Sequence, residues 1–125
     1  ELEENILFTV LLGCRFDANN TGSVAGIYTI NGQDSYGDGW NGASVDFTVD
    51  GVTTVITFAS GSDVSKTITV PASASSVGIA FTSGDWDSEV TYQVEWSNLS
   101  GGNSQTALSD GTSPAVGFKA LNICQ

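Results

Sequence analysis

Glu89-Val90-Thr91-Tyr92-Gln93-Val94-Glu95-Trp96 alternates polar and apolar side chains without a break. A period of two sends successive side chains to opposite faces of an extended backbone. Val90, Tyr92, Val94 and Trp96 should therefore line a buried face, while Glu89, Thr91, Gln93 and Glu95 meet water. The pattern recurs where Val45, Phe47 and Val49 alternate with Ser44, Asp46, Thr48 and Asp50, and again at Val77, Ile79 and Phe81. Further strands are expected over 24–30, 52–58, 64–70 and 116–123, with a weaker one at 105–108. Between them stand Asn31-Gly32, Asp50-Gly51, Ser60-Gly61, Ser83-Gly84, Gly101-Gly102 and Asp110-Gly111, dipeptides that supply the backbone freedom of tight turns. Many short strands at regular spacing predict an all-β chain, folded as an antiparallel β-sandwich or jelly roll.

One segment departs from the alternation. Ile6, Leu7, Phe8, Thr9, Val10, Leu11 and Leu12 are apolar at nearly every position, so both faces of this strand call for burial. Residues 1–13 thus read as an N-terminal extension carrying an extra strand, and 14–125 as a single sandwich domain. Two fates suit such a strand. It can be a central strand of its own sandwich, or it can be donated to a groove of the next subunit by β-augmentation.

The chain has 125 residues, room for one core. Three Lys and Arg stand against 14 Asp and Glu, a net charge of −11. Such a surface repels nucleic acid and anionic membranes and attracts cations. The scattered Asp46, Asp50, Asp63, Glu95 and Asp110 read as solvated charge. Residues 6–12, the longest apolar run, are too few to span a bilayer. Met is absent even from position 1, which reads as processing after removal of a secretory signal. Cys14 and Cys124 lie near opposite ends, and the chain has no His, so a four-ligand zinc site is excluded. A disulfide is the expectation, with free thiols as the alternative. It would imply an oxidising compartment, and closing so long a loop would stabilise by about 4–5 kcal/mol.

The chemistry concentrates in Asp34-Ser35-Tyr36-Gly37-Asp38-Gly39-Trp40-Asn41-Gly42. Asp34, Asp38 and Asn41 offer side-chain oxygens on a glycine-permitted backbone, as a hard cation such as Ca²⁺ requires. This is no EF-hand, since the twelfth position from Asp34 is Val45 rather than Glu. The missing ligands are expected from the acidic turn holding Asp85, Asp87 and Glu89, spaced two apart and so on one face if extended, or aimed at the first loop by a turn. Two solvated turns are the plainer alternative. Tyr36, Trp40 and Trp86 occupy the same loops and would either cap the sandwich or stack on sugar rings.

The order of these motifs, DSYGDGWNG after a strand, then SGDWDSEVTYQV, then DGTSPAVG before a closing cysteine, resembles a module of secreted and cell-surface proteins of bacteria and algae. The likeness covers about residues 26–124. It implies a calcium-stabilised β-sandwich, generally appended to larger adhesive or degradative proteins, with Asp34, Asp38, Asn41, Asp85, Asp87 and Glu89 as site residues. The extension 1–13 is where this chain departs from the pattern.

An enzyme is not expected, because the chain lacks His and a nucleophile motif, and its only catalytic option is a carboxylate pair such as Asp85 and Glu89. The expected function is an extracellular filament or fibre subunit, a head-to-tail homopolymer stiffened by Ca²⁺. The alternative is a carbohydrate-binding or adhesion module using Trp40, Trp86 and Tyr36. Asn19 and Asn98 begin two glycosylation sequons.

Overall fold

The computed structural model describes residues 10–11 and 24–123. Cys14 and Cys124, Asn19, and Ile6, Leu7, Phe8 and Leu12 lie outside them, and with them the expected disulfide, one sequon and most of the donor strand.

The chain is an all-β sandwich of two four-stranded antiparallel sheets. In chain order the strands are β1 (Val10–Leu11), β2 (Gly26–Asp34), β3 (Ser44–Val49), β4 (Val52–Ile56), β5 (Asp63–Val70), β6 (Val77–Thr82), β7 (Val90–Ser97), β8 (Gln105–Gly111), β9 (Gly117–Phe118) and β10 (Leu121–Asn122). One sheet runs β5-β2-β7-β8 and the other β4-β3-β6-β9. Val10 and Leu11 pair in parallel with Leu121 and Asn122 as a separate two-stranded ribbon. No helix among the described residues is long and apolar enough to cross a membrane.

Alternation builds the core. Val90, Tyr92, Val94 and Trp96 of β7 are buried, as are Tyr28 and Ile30 of β2, Val45 and Phe47 of β3, and Val77, Ile79 and Phe81 of β6. Rings interlock across the gap between the sheets, with Tyr28 and Phe47 centroids 5.1 Å apart and Phe81 stacked on Tyr92 at 6.2 Å. Aromatic pairs at such spacings add to their area burial.

Four connections cross between the sheets at one end of the sandwich: β2 to β3, β4 to β5, β6 to β7 and β8 to β9. We call this end the loop pole. At the far end β3 and β4 are joined by the two-residue turn Asp50-Gly51, both with positive φ (49° and 86°). That turn geometry matches the twist of a hairpin.

Two dipeptides expected to turn do not. Asn31 and Gly32 sit inside β2, paired with Ser65 and Val64 on one side and Gln93 and Tyr92 on the other. Asp110 and Gly111 close β8, opposite Tyr92 and Thr91. Gly32 is there for space, since a Cβ at this position would lie 2.5 Å from Cζ2 of Trp40. The expected strand over 116–123 is instead two short ones in different sheets, and β8 runs three residues past its expected end.

The scattered acids are not merely solvated. Asp50 accepts the Ser75 and Ser76 amides at 2.9 and 2.8 Å, and Asp46 accepts the Ser44 and Thr82 hydroxyls. Glu95 accepts the Thr106 hydroxyl, and Asp110 both accepts the buried Tyr92 hydroxyl at 2.9 Å and pairs with Lys119 at 3.1 Å.

Gly32→Ala should force the Trp40 indole to shift and destabilise the fold by about 1–3 kcal/mol, read as a lower urea midpoint at unchanged slope.

Candidate metal centre at the loop pole

Period two also builds the site. The inward row of β2 is Gly26, Tyr28, Ile30, Gly32 and Asp34, so the strand's last core-facing side chain is a carboxylate, only 3 % exposed. Asp34 lies opposite Val90 in the antiparallel pair with β7, and the Ser35 amide donates to the Glu89 carbonyl at 3.0 Å. This register places Glu89 beside Asp34. The chain then folds back over Asp34, whose Oδ2 accepts the Gly37 and Asp38 amides at 3.0 and 2.7 Å and whose Oδ1 accepts the Tyr36 amide at 3.3 Å. The wrap brings Asp38 in. One carboxylate oxygen from each of Asp34, Asp38 and Glu89 lies within 4.8 Å of the others.

Burial alone would raise the Asp34 carboxyl, but the Tyr36 and Asp38 amides, the Asp38 side chain and the Gly37 amide outweigh it and hold the group below its usual range. Glu89 goes the other way. Loss of hydration comes first, then the charges of Asp34 and Asp38, and together they raise its carboxyl above the ordinary value of 4.5.

Two enclosed oxygens, Oε1 of Glu89 and Oδ1 of Asn41, have no hydrogen-bond donor among the described residues. Buried acceptors left unmatched are uncommon and call for an explanation, an ion among them. Ca²⁺ binds oxygens at about 2.3–2.6 Å, so two ligands of one ion can stand at most about 5 Å apart. The trio falls inside that limit. The donor set, three carboxylates with an amide oxygen nearby in sequence, is of the hard, anionic kind Ca²⁺ takes, and among the described residues no proton donor competes for the two orphaned oxygens.

Asp85 and Asp87 are not part of this group. The segment makes a 3₁₀ turn over Asp87–Glu89 instead of running extended, and that turn brings only Glu89 of the three to Asp34 and Asp38. Asp87 is engaged in its own loop, accepting the Gly84 amide at 2.8 Å and the Ser83 hydroxyl at 2.6 Å. Its carbonyl receives the Ser113 amide, which ties in the β8–β9 connection. Asp85 is exposed, but its amide donates to the Asn41 carbonyl at 3.0 Å and so joins the two acidic loops. The loops touch backbone to backbone, and a Cβ on Gly84 would fall 2.3 Å from the Ala43 amide nitrogen.

A third segment supports the site. Ser62 accepts the Asp34 amide at 2.8 Å, Gly61 the Gly39 amide at 3.0 Å and Phe58 the Trp40 amide at 3.0 Å. These are carbonyl contacts, so no side-chain pattern announces them.

Trp40 is fully buried against Phe58 and Tyr92, and its Nε1 donates to the Gln33 carbonyl at 2.8 Å. It caps the sandwich and leaves the sugar-stacking set, because neither ring face is open. Tyr36 and Trp86 are 75 % and 55 % exposed. Asn98 lies in an exposed turn that its own Oδ1 organises by accepting the Ser100 and Gly102 amides.

No family model, curated protein or solved structure matches this chain.

The raised Glu89 carboxyl fixes the sign of a pH effect. In metal-free protein its stabilising contribution is present below 4.5 and is lost as pH rises through the higher folded value. For Asp34 the contribution is present above 3.8 and is lost as pH falls through the lower folded value. Under excess chelator, Glu89→Gln should therefore melt above the unsubstituted protein at pH 7, and the difference should vanish in melting curves taken below pH 4.5.

Proposed function

We propose that this chain is an extracellular structural subunit that binds Ca²⁺ at its loop pole and assembles head to tail by donating its N-terminal strand. The observation that carries the metal half is the convergence of Asp34, Asp38 and Glu89 from two loops, with the Glu89 Oε1 and Asn41 Oδ1 atoms enclosed and undonated. Asp34, Asp38 and Glu89 would ligate the ion, with Asn41 as the nearest further candidate. The ion would offset the mutual repulsion of the trio and clasp connections that pass between the sheets. Its role is structural, and no catalytic role is assigned to the carboxylates.

The assembly half is supported by the two-faced apolar run at 6–12. Its Val10 and Leu11 pair as a strand with the C-terminal end of the domain. A segment able to pair in this way within its own chain can make strand pairs between copies, and a contact repeated head to tail without closing produces a fibre. An acidic surface that attracts cations fits the cell exterior, where Ca²⁺ is plentiful.

Exposure of Tyr36 and Trp86 beside the acidic loops favours a second reading, adhesion to carbohydrate. Glycan-array binding that disappears in Trp86→Ala with the fold intact would select it.

Chelator should lower the melting temperature and Ca²⁺ restore it, with about 2.7 kcal/mol of stabilisation when the free ion is a hundredfold above its Kd. Glu89→Gln should lose most of that gain. A melting curve indifferent to both chelator and Ca²⁺ would end the metal reading. Removing residues 1–12 should leave a folded monomer, and polymers of unchanged form in negative-stain images of that variant would end the strand-donation reading.

A further inference from the structure

Strand donation needs an acceptor edge, and among the described residues the two four-stranded sheets offer four. β5 carries Asp63 and Lys66, β8 carries Asp110, and β9 is only two residues long. β4, Val52-Thr53-Thr54-Val55-Ile56, carries no charge and among the described residues pairs only with β3. Natural edge strands usually carry a charge, a proline or a bulge that discourages pairing. β4 has neither charge nor proline, and its pairing with β3 is regular from Val49↔Val52 to Val45↔Ile56.

The edge presents an exposed valine on each face. Opposite the buried Val45 and Phe47, the row Val52, Thr54 and Ile56 faces the other sheet, while Thr53 and Val55 face outward. Val52 is nevertheless 72 % exposed and Val55 59 % exposed, one on each face. A strand with a single apolar face could cover only one of them. Residues 6–12 are uncharged and apolar at every position but Thr9, so this segment could cover both valines. Charge narrows the choice further, since copies bearing −11 each repel one another and close contact is least opposed where neither side adds charge.

We propose that the β4 edge receives residues 6–12 of a second copy of this chain, which exchanges the pairing of its Val10 and Leu11 with its own Leu121 and Asn122 for a place as fifth strand of the β4-β3-β6-β9 sheet. This rests on the strand-donation reading above and names its acceptor.

The test uses the full chain, with polymer read by sedimentation and negative-stain microscopy. Val52→Lys combined with Val55→Lys should abolish the fast-sedimenting polymer while shifting the melting temperature by no more than about 4 °C, as for substitutions at exposed positions. Phe8→Asp, which puts a charge in the donor, should abolish polymer as well. If Phe8→Asp depolymerises the chain and the β4 pair does not, the acceptor lies elsewhere and this proposal is overturned while donation stands. If polymers survive Phe8→Asp too, donation itself fails and takes the β4 assignment with it. Should the double substitution unfold the domain, Val55→Lys alone decides, because that side chain faces outward.

Discussion

The antiparallel register between β2 and β7 is the constraint on which the loop pole depends. Because side chains alternate, fixing Tyr28 and Ile30 in the core also fixes Gly32 and Asp34 on the same face. The core thereby forces a carboxylate into the sandwich end, and pairing with Val90 sets Glu89 beside it. A slip of one residue would turn Asp34 outward and expose Tyr28 and Ile30 together. Burial of the rings thus enforces the approach of the acids, and the approach leaves Glu89 harder to ionise. The backbone amides that fold over Asp34 stabilise its charge, but none of the described residues donates to the enclosed oxygen of Glu89.

The pole gathers its rigidity from main chain more than from side chains. Four crossings between the sheets meet there, and the segments at 35–43, 57–62 and 83–89 exchange amide-to-carbonyl bonds. Asp87 adds to this by fastening its own turn and receiving Ser113. A site assembled on such a frame is pre-organised, which lowers the ordering cost of binding an ion. Its cost is repulsion among three acids in one place, which a divalent cation would relieve.

Strand alternation was legible in the residues because each buried row repeats every second position, and Val90, Tyr92, Val94 and Trp96 admit no other reading. The density of oxygen-bearing side chains around Asp34 was legible too, as was the meeting of its loop with the one that ends at Glu89. What the residues hid had physical causes. Asn31-Gly32 carries the letters of a turn, yet its glycine serves to admit the Trp40 indole from across the sheet. Asp85 and Asp87 carry the letters of ligands, but the backbone turns between them and Glu89, and Asp87 satisfies itself locally. Contacts from Phe58, Gly61 and Ser62 run through carbonyls and leave no trace in side-chain identity. Asp50 and Asp110 read as surface charge because their partners, Ser75, Ser76, Tyr92 and Lys119, are distant in sequence or silent in pattern.

Distribution of apolar surface says where such an acidic molecule can touch anything. The exposed large apolar side chains of the described residues are few: Tyr36 and Trp86 at the loop pole, Val52 and Val55 on β4, Val116 and Phe118 at and just before β9, and Leu99 in a far turn. Six of these seven lie either beside the acidic trio or at the two edges of one sheet. Scattered apolar residues need no explanation, whereas grouped ones on a strongly charged protein do. The pole is acidic, so a second acidic copy could approach it only with cations between. The sheet edges carry no such penalty, and main-chain hydrogen bonding there is indifferent to net charge. In the assembly proposed above, contact between copies would therefore be cheapest through strand addition, and the pole would stay clear of it.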